Sequence, residues 1–270
     1  MICFPNCKIN LGLHILRKLP DGYHELETVF YPLELSDILE IIPSKTGETS
    51  LTVTGLTLPG DPKDNLCIRA WQLLSDKSGI PPVSILLHKI IPAGAGLGGG
   101  SSDAAHTLSL LNTTYSLGLS KKELGDLALA LGMDCPFFML NSPAIAMGKG
   151  EILNPVRLTL KGMIVVLVKP DIHISTADAY ANVTPKQGRT PLQEILLNPV
   201  EEWKNLLVND FEESIFRNYP QIEHIKQALY DCGAVYASMS GSGSAVFGIF
   251  TEKPDIETTF DGCFIWEGEM

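Results

Sequence analysis

Basic charge is scarce in this chain. Lysine and arginine total 20 against 31 aspartates and glutamates, a formal net charge of −11. Basic residues never run beyond pairs such as Arg17-Lys18 and Lys121-Lys122. Broad electrostatic binding of nucleic acid or of an anionic membrane surface is therefore not expected. Any anionic ligand must be held locally, by backbone amides and a few placed cations. Long apolar runs are lacking too, and none approaches the roughly 20 residues of a membrane helix. Met1 to Lys8 has no charged segment followed by an apolar one, so no secretory signal is expected. The six cysteines form no Cys-x-x-Cys pair, and no histidine stands at zinc-ligand spacing from them. Reduced thiols and a cytoplasmic setting are the expectation.

What is present is an ordinary globular balance, 45% hydrophobic and 19% charged over 270 residues. That length suits one large domain or two of ordinary size. Lys8 to Leu16 alternates, with Ile9, Leu11, Leu13 and Ile15 on one side and Lys8, Asn10, Gly12 and His14 on the other. This predicts a half-buried strand. Further extended segments are expected over Tyr23–Leu35, Ile38–Ile42, Leu51–Leu58, Val83–Ile91, Met163–Val168 and Ala245–Phe250. Helical spacing covers Asp64–Leu74 and Ser101–Leu111. Ser120-Lys-Lys-Glu123 is a capping box opening a helix that Gly132 stops. Asn209–Tyr230 reads as a helix split by Pro220, and Pro143–Pro155 as a connection. The class is α+β, with two halves, 1–150 and 151–270.

The densest signal is Pro92-Ala-Gly-Ala-Gly-Leu-Gly-Gly-Gly-Ser-Ser-Asp-Ala-Ala105. Five of the chain's 24 glycines lie between Gly94 and Gly100, where the average frequency would put fewer than one. A strand, a glycine loop and a helix start follow one another there. Such a loop turns backbone amides outward, and the helix dipole adds positive potential, so the segment suits phosphate. A P-loop needs Gly-x-x-x-x-Gly-Lys-[Ser/Thr], but Gly100 stands where that lysine must be. Gly94-Ala-Gly96-Leu-Gly98-Gly99 fits Gly-x-Gly-x-x-Gly. The Rossmann reading also needs a second strand ending in an acid about 20 residues on, and the region from Tyr115 leads into a capped helix instead.

Pro92 to Ser102 resembles the phosphate loop of the GHMP small-molecule kinases throughout. Pro5-Asn-Cys-Lys8-Ile-Asn10-Leu resembles the first motif of that family, and Ser238-Met-Ser-Gly-Ser-Gly-Ser-Ala-Val-Phe247 the third. Asp21-Gly-Tyr-His-Glu-Leu-Glu-Thr-Val-Phe30, Leu131-Gly-Met-Asp134-Cys-Pro-Phe-Phe138 and Asn209-Asp-Phe-Glu212 narrow the resemblance to members acting on a cytidine diphosphate sugar alcohol. It covers essentially the whole chain. It implies a two-domain GHMP kinase fold, with a ribosomal protein S5 domain 2-like N-terminal domain and a ferredoxin-like C-terminal domain. It also implies a monomer or homodimer that uses ATP and Mg²⁺. A homoserine or mevalonate type of kinase, a related decarboxylase, or a non-catalytic nucleotide-binding regulator are the alternatives. The first three share the glycine loop but lack Gly22-Tyr23-His24.

The resemblance also implies site residues. Asp134 matches the family's general base, and Lys8 the cation that keeps it ionised or meets the developing charge. Pro92, Ala93, Gly94, Ala95, Gly96, Leu97, Gly98, Gly99, Gly100, Ser101 and Ser102 would hold ATP, with Asn65 and Lys89 bordering its adenosine. Asn10, Tyr23, His24, Thr176, Tyr180, Gly241 and Ser242 would meet the acceptor, Tyr23 and Tyr180 flanking its base. The hydroxyls of Ser101 and Ser102 could hold Mg²⁺, and Asp103 and Asp134 are the acids available to it; its ligands stay unassigned. Three positions depart from the family pattern: Asp103 where some members have a neutral residue, Cys135 where valine is common, and Tyr180 in place of phenylalanine.

Overall fold

The computed structural model describes residues 1–58, 60–186, 188–256 and 259–270. Along the chain come β1 (Ile2–Cys3), β2 (Asn6–Lys18), β3 (His24–Ser36), β4 (Ile38–Pro43), β5 (Ser50–Gly55), α1 (Leu66–Ser78) and β6 (Val83–Lys89). Then follow α2 (Gly99–Thr114), α3 (Lys121–Leu131), α4 (Cys135–Leu140), β7 (Ala144–Gly148), β8 (Ile152–Pro155) and β9 (Ile164–Lys169). The remainder is α5 (Thr176–Ala181), α6 (Leu192–Ile195), α7 (Glu212–Asn218), α8 (Pro220–Asp231), β10 (Tyr236–Met239), β11 (Val246–Phe250) and β12 (Phe264–Glu269).

Packing divides the chain into two compact units, though not by a single break near residue 150. The first unit comprises Met1–Cys7, Glu34–Ala93 and Gly98–Ser142. Its sheet has the order β1-β4-β6-β5, with β4 antiparallel to β1 and β6, and β5 parallel to β6. The apolar positions of β4 and β6 (Leu39, Ile41, Ile85, Leu87) alternate onto the face that packs Leu74 of α1 and Leu108 of α2. Asn65 begins α1 by accepting the Cys67 amide at 2.9 Å, and Gly79 ends it in the left-handed region. The capping box at Ser120 is formed, with the Glu123 carboxylate returning to the Ser120 amide at 2.9 Å. One short helix, α4, follows directly and was not expected.

The second unit comprises Lys8–Leu33, Gly94–Leu97 and Pro143–Met270. It holds the sheets β2-β3-β7-β8 and β10-β11-β9-β12, the latter antiparallel throughout. The segment expected to be a plain connection is the hairpin β7–β8, which extends the first of these sheets. Pro220 stands at the first position of α8, where its missing amide costs nothing, and so separates α8 from α7. Phe211, Ile222, Leu229, Val166 and Val246 belong to one apolar cluster.

Strand β2 is buried on both faces, where alternation alone suggested one. Its polar side includes His14, which is 2% exposed, has no hydrogen-bond partner on either ring nitrogen among the described residues, and lies 3.9 Å from a Glu27 carboxylate oxygen. Burial first, and the Arg189 charge second, push its pKa down from 6.5 to about 4. The folded state thus keeps the imidazole neutral where the unfolded chain would take up a proton. Stability from this group is whole above pH 6.5 and is lost as pH falls toward 4. Each tenfold difference in proton affinity between the two states is worth about 1.4 kcal/mol. His14→Gln should therefore reduce the stability lost between pH 7 and pH 4.5 by roughly 2–3 kcal/mol. Urea unfolding of both proteins at the two pH values checks this; equal losses would contradict it.

Candidate active site

In the second unit, the polar side of β2 meets two glycine-rich turns. The Lys8 ammonium donates to the Gly96 carbonyl at 2.9 Å and to Asn10 Oδ1 at 2.5 Å, and lies 4.9 Å from the Phe30 ring centre. Asn10 Nδ2 donates to Thr28 Oγ1 at 2.9 Å, and that hydroxyl donates to the Gly12 carbonyl at 2.6 Å. Ser240 Oγ donates to the same Gly96 carbonyl at 2.9 Å and accepts the Asn10 amide at 3.1 Å. Backbone bonds from Lys8 to Leu97 (3.0 Å) and from Ala245 to Ala95 (3.2 Å) complete the junction. The residues of the first motif, the opening half of the glycine loop and the Ser238–Phe247 turn are thus joined by direct bonds.

Gly96 has φ +77°, and a Cβ added there would overlap the Ser240 carbonyl. The approach of the two backbones therefore requires glycine. The Ser238–Phe247 turn is held in turn by Asn209, whose Nδ2 donates to the Met239 and Gly241 carbonyls, both at 2.8 Å. Glu212 accepts the Met239 amide at 2.8 Å and pairs with Lys226 at 2.7 Å. Asn209 and Glu212 carried no role in the sequence reading beyond a motif match. Their partners in the Ser238–Phe247 turn lie 26 to 32 residues away, and no local pattern signals them.

The acceptor-side aromatics are arranged differently from expectation. Tyr180 stacks on His24, with ring centres 4.9 Å apart at 24°, and sets its edge against Phe211. Tyr23 is 53% exposed and has the Lys149 ammonium 4.3 Å from its ring centre; that ammonium also bonds Asp21 at 2.7 Å. So Tyr180 pairs with His24 rather than facing Tyr23 across a gap. Burial lowers the His24 pKa below the ordinary histidine range, with Lys18 adding to the effect. Thr176 opens α5 on the surface, after Ser175 caps it.

In the first unit, α2 starts at Gly99, two residues earlier than the expected Ser101, after Gly98 at φ +70° with no side-chain cap. Its first-turn amides have no acceptor within the helix, which leaves them available to an anion. Gly100 is exposed and Ser101 half-buried, while Ser102 is sealed in and 3.3 Å from His106 Nδ1. Of the two serines, only Ser101 can present its hydroxyl outward. Cys135, bonded to the Ser101 hydroxyl, is pushed up to about 11, mainly by burial. Asp134 precedes α4, is half-buried, and makes no capping bond to that helix.

Lys89, expected beside the adenosine, is 2% exposed, with its ammonium bonded to Asp37 and, at 2.7 Å, to Asp103. Its side chain is closed to a nucleotide, which corrects that expectation. Burial works against its charge, but the two carboxylates outweigh burial and hold its pKa above the ordinary value. Asp103, named as an acid for the metal, is equally enclosed. The Asn65 side-chain oxygen is engaged in capping α1.

A glycine loop that opens a helix, neither P-loop nor Rossmann, in an α+β chain suits phosphate binding, and comparison with known proteins gives the class: a small-molecule kinase. Two family models match: GHMP kinases N terminal domain over residues 65–142, and GHMP kinases C terminal over 192–261. The chain belongs to the GHMP kinase family. It is 50% identical over 273 residues, 100% of both chains, to a Bacteroides fragilis protein named 4-diphosphocytidyl-2-C-methyl-D-erythritol kinase. A Porphyromonas gingivalis protein of the same name is 46% identical, covering 99% of this chain and 98% of the other. A crystal structure of 4-(cytidine 5'-diphospho)-2C-methyl-D-erythritol kinase superposes with a TM-score of 0.84 at 35% identity, covering 99% and 98%. The Methanococcus jannaschii mevalonate kinase shares the fold, with a TM-score of 0.74 at 16% identity over 100% of this chain and 98% of that one.

The contact at Gly96 makes a direct prediction. Gly96→Ala must adopt a left-handed conformation and push the Ser240 carbonyl away, at a penalty of roughly 1–2 kcal/mol or more. Initial rates against ATP should give kcat/KM lower by at least about tenfold, at 1.4 kcal/mol per factor of ten. Wild-type rates in this variant would mean that the close approach has no bearing on catalysis.

Proposed function

We propose that the chain transfers the γ-phosphoryl group of ATP to the 2-hydroxyl of 4-diphosphocytidyl-2-C-methyl-D-erythritol, a cytoplasmic step of the non-mevalonate route to isoprenoid precursors. The observation that carries this reading is identity of 50% along the full chain with enzymes of that name. Gly22-Tyr23-His24, the segment that sets this acceptor apart in the sequence reading, supports it.

Phosphoryl transfer asks a protein chiefly for alignment and for stabilisation of charge. A tertiary alcohol is a poor nucleophile until its proton is accepted, and a carboxylate within hydrogen-bond reach is the natural acceptor. In this reading Asp134 takes that proton as the oxygen–phosphorus bond forms and the bond to the β-phosphate oxygen breaks, releasing ADP. Lys8 supplies positive charge to the reacting groups. Its bonds to Gly96 and Asn10 orient the ammonium, so no reorganisation is needed as charge develops. The first-turn amides of α2 hold the phosphates. Asn10, Gly241 and Ser242 border the erythritol with Thr176, while Tyr23, His24 and Tyr180 receive the cytidine. Asn65 flanks the adenosine.

Among the described residues, no group of three or more His, Cys, Asp or Glu side chains could hold a metal ion. Mg²⁺ bound with a nucleotide is carried mainly by phosphate oxygens and needs few protein ligands. The Ser101 hydroxyl and the Asp134 carboxylate are the side chains able to hold it. When bound it neutralises phosphate charge.

ADP release with Mg-ATP should occur with the cytidylated erythritol and stay at background with mevalonate or homoserine; silence with the first acceptor sinks the proposal. Asp134→Asn should lower kcat by at least about 100-fold, the scale of general-base loss. ATP affinity should stay within a few-fold. Turnover that survives this change removes Asp134 from the role.

A further inference from the structure

The strand entering the glycine loop and the helix leaving it are tied together beneath the loop. Lys89 ends β6, and Asp103 lies one turn into α2; their side chains bond at 2.7 Å. Asp37, between β3 and β4, bonds the same ammonium through one oxygen. Its other oxygen accepts the Ile90 amide at 2.5 Å and the Ile91 amide at 2.9 Å, the last two residues before Pro92. All three residues are at most 2% exposed. Gly99, first residue of α2, packs on this assembly: an added Cβ would lie 2.9 Å from Ile91 Cγ2 and 3.4 Å from Lys89 Nζ.

We propose that Asp37, Lys89 and Asp103 are positioning residues that preset the start of α2 for the nucleotide's phosphates. A loop of seven residues with five glycines has much conformational freedom to lose on binding. Fixing its two ends lowers that loss before the ligand arrives. The ion pair does so through β6 and α2, with no contact to the ligand itself. The inference rests on the reading of the glycine loop as the ATP phosphate site.

Two carboxylates share one ammonium here, and one Asp103 oxygen has no hydrogen-bond partner among the described residues.

The test is calorimetric titration of a non-hydrolysable ATP analogue with saturating Mg²⁺. The triple variant Asp37→Asn/Lys89→Met/Asp103→Leu removes all three charges together, a change that often preserves stability because no buried charge is left unpaired, and the amide oxygen at position 37 can still accept the Ile90 and Ile91 amides. With its melting temperature near that of the wild type, it should bind the analogue at least tenfold more weakly. KM for the cytidylated acceptor should move less than twofold. Unchanged analogue affinity in the folded variant overturns the proposal. If that variant fails to fold, Asp103→Asn decides: it leaves Lys89 paired with Asp37 but removes the charge that ties α2 to β6. It should bind the analogue several-fold more weakly with the acceptor KM unmoved; wild-type affinity in it overturns the proposal. A wild-type protein that does not bind the analogue at all refutes the functional reading instead.

Discussion

One backbone carbonyl organises the second unit. The Gly96 oxygen receives both the Lys8 ammonium and the Ser240 hydroxyl, each at 2.9 Å. A buried ammonium without acceptors would be strongly disfavoured, and this oxygen and that of Asn10 are two acceptors that support a lysine only 3% exposed on an interior strand. The same oxygen anchors the Ser238–Phe247 turn, which Asn209 and Glu212 hold from its other side. A side chain at residue 96 would separate these parts. The glycine is there for the approach of backbone to backbone, in addition to any approach by phosphate.

Two lysines, Lys8 and Lys89, are buried among the described residues. Lys89 lies between two carboxylates and serves structure. Lys8 is bonded to a carbonyl and an amide oxygen, on the strand whose polar side carries the first motif. In a protein of net charge −11 that handles a polyphosphate, placement of a few donors matters more than overall charge. In the proposed reading, the open first turn of α2 and the ammonium of Lys8 are such placements.

Local features were readable from the chain alone. Alternation located β2 and put Lys8 and Asn10 on one side, glycine density located the loop that leads into α2, and the capping box at Ser120 gave the start of α3 to the residue. What escaped depends on partners far apart in sequence. Lys89 looked like a neighbour of the nucleotide because its partner Asp37 is 52 residues away. The pairing of Tyr180 with His24, rather than opposite Tyr23, is set by tertiary packing. The hairpin β7–β8 was hidden because glycine, proline and asparagine in its sequence favour turns, while its strands are made by pairing with β3. The interleaved composition of the two units has the same origin: β2 and most of β3 pack with segments from the second half of the chain.

The central claim is that Lys8, Asn10, Gly96 and Ser240 act as one assembly. A double-mutant cycle on kcat/KM with Asn10→Ala and Ser240→Ala addresses it most directly, because both side chains bear on the Gly96–Lys8 contact. The account predicts strong coupling, with the double variant losing little more than the worse single variant. Fold losses that simply multiply would contradict it.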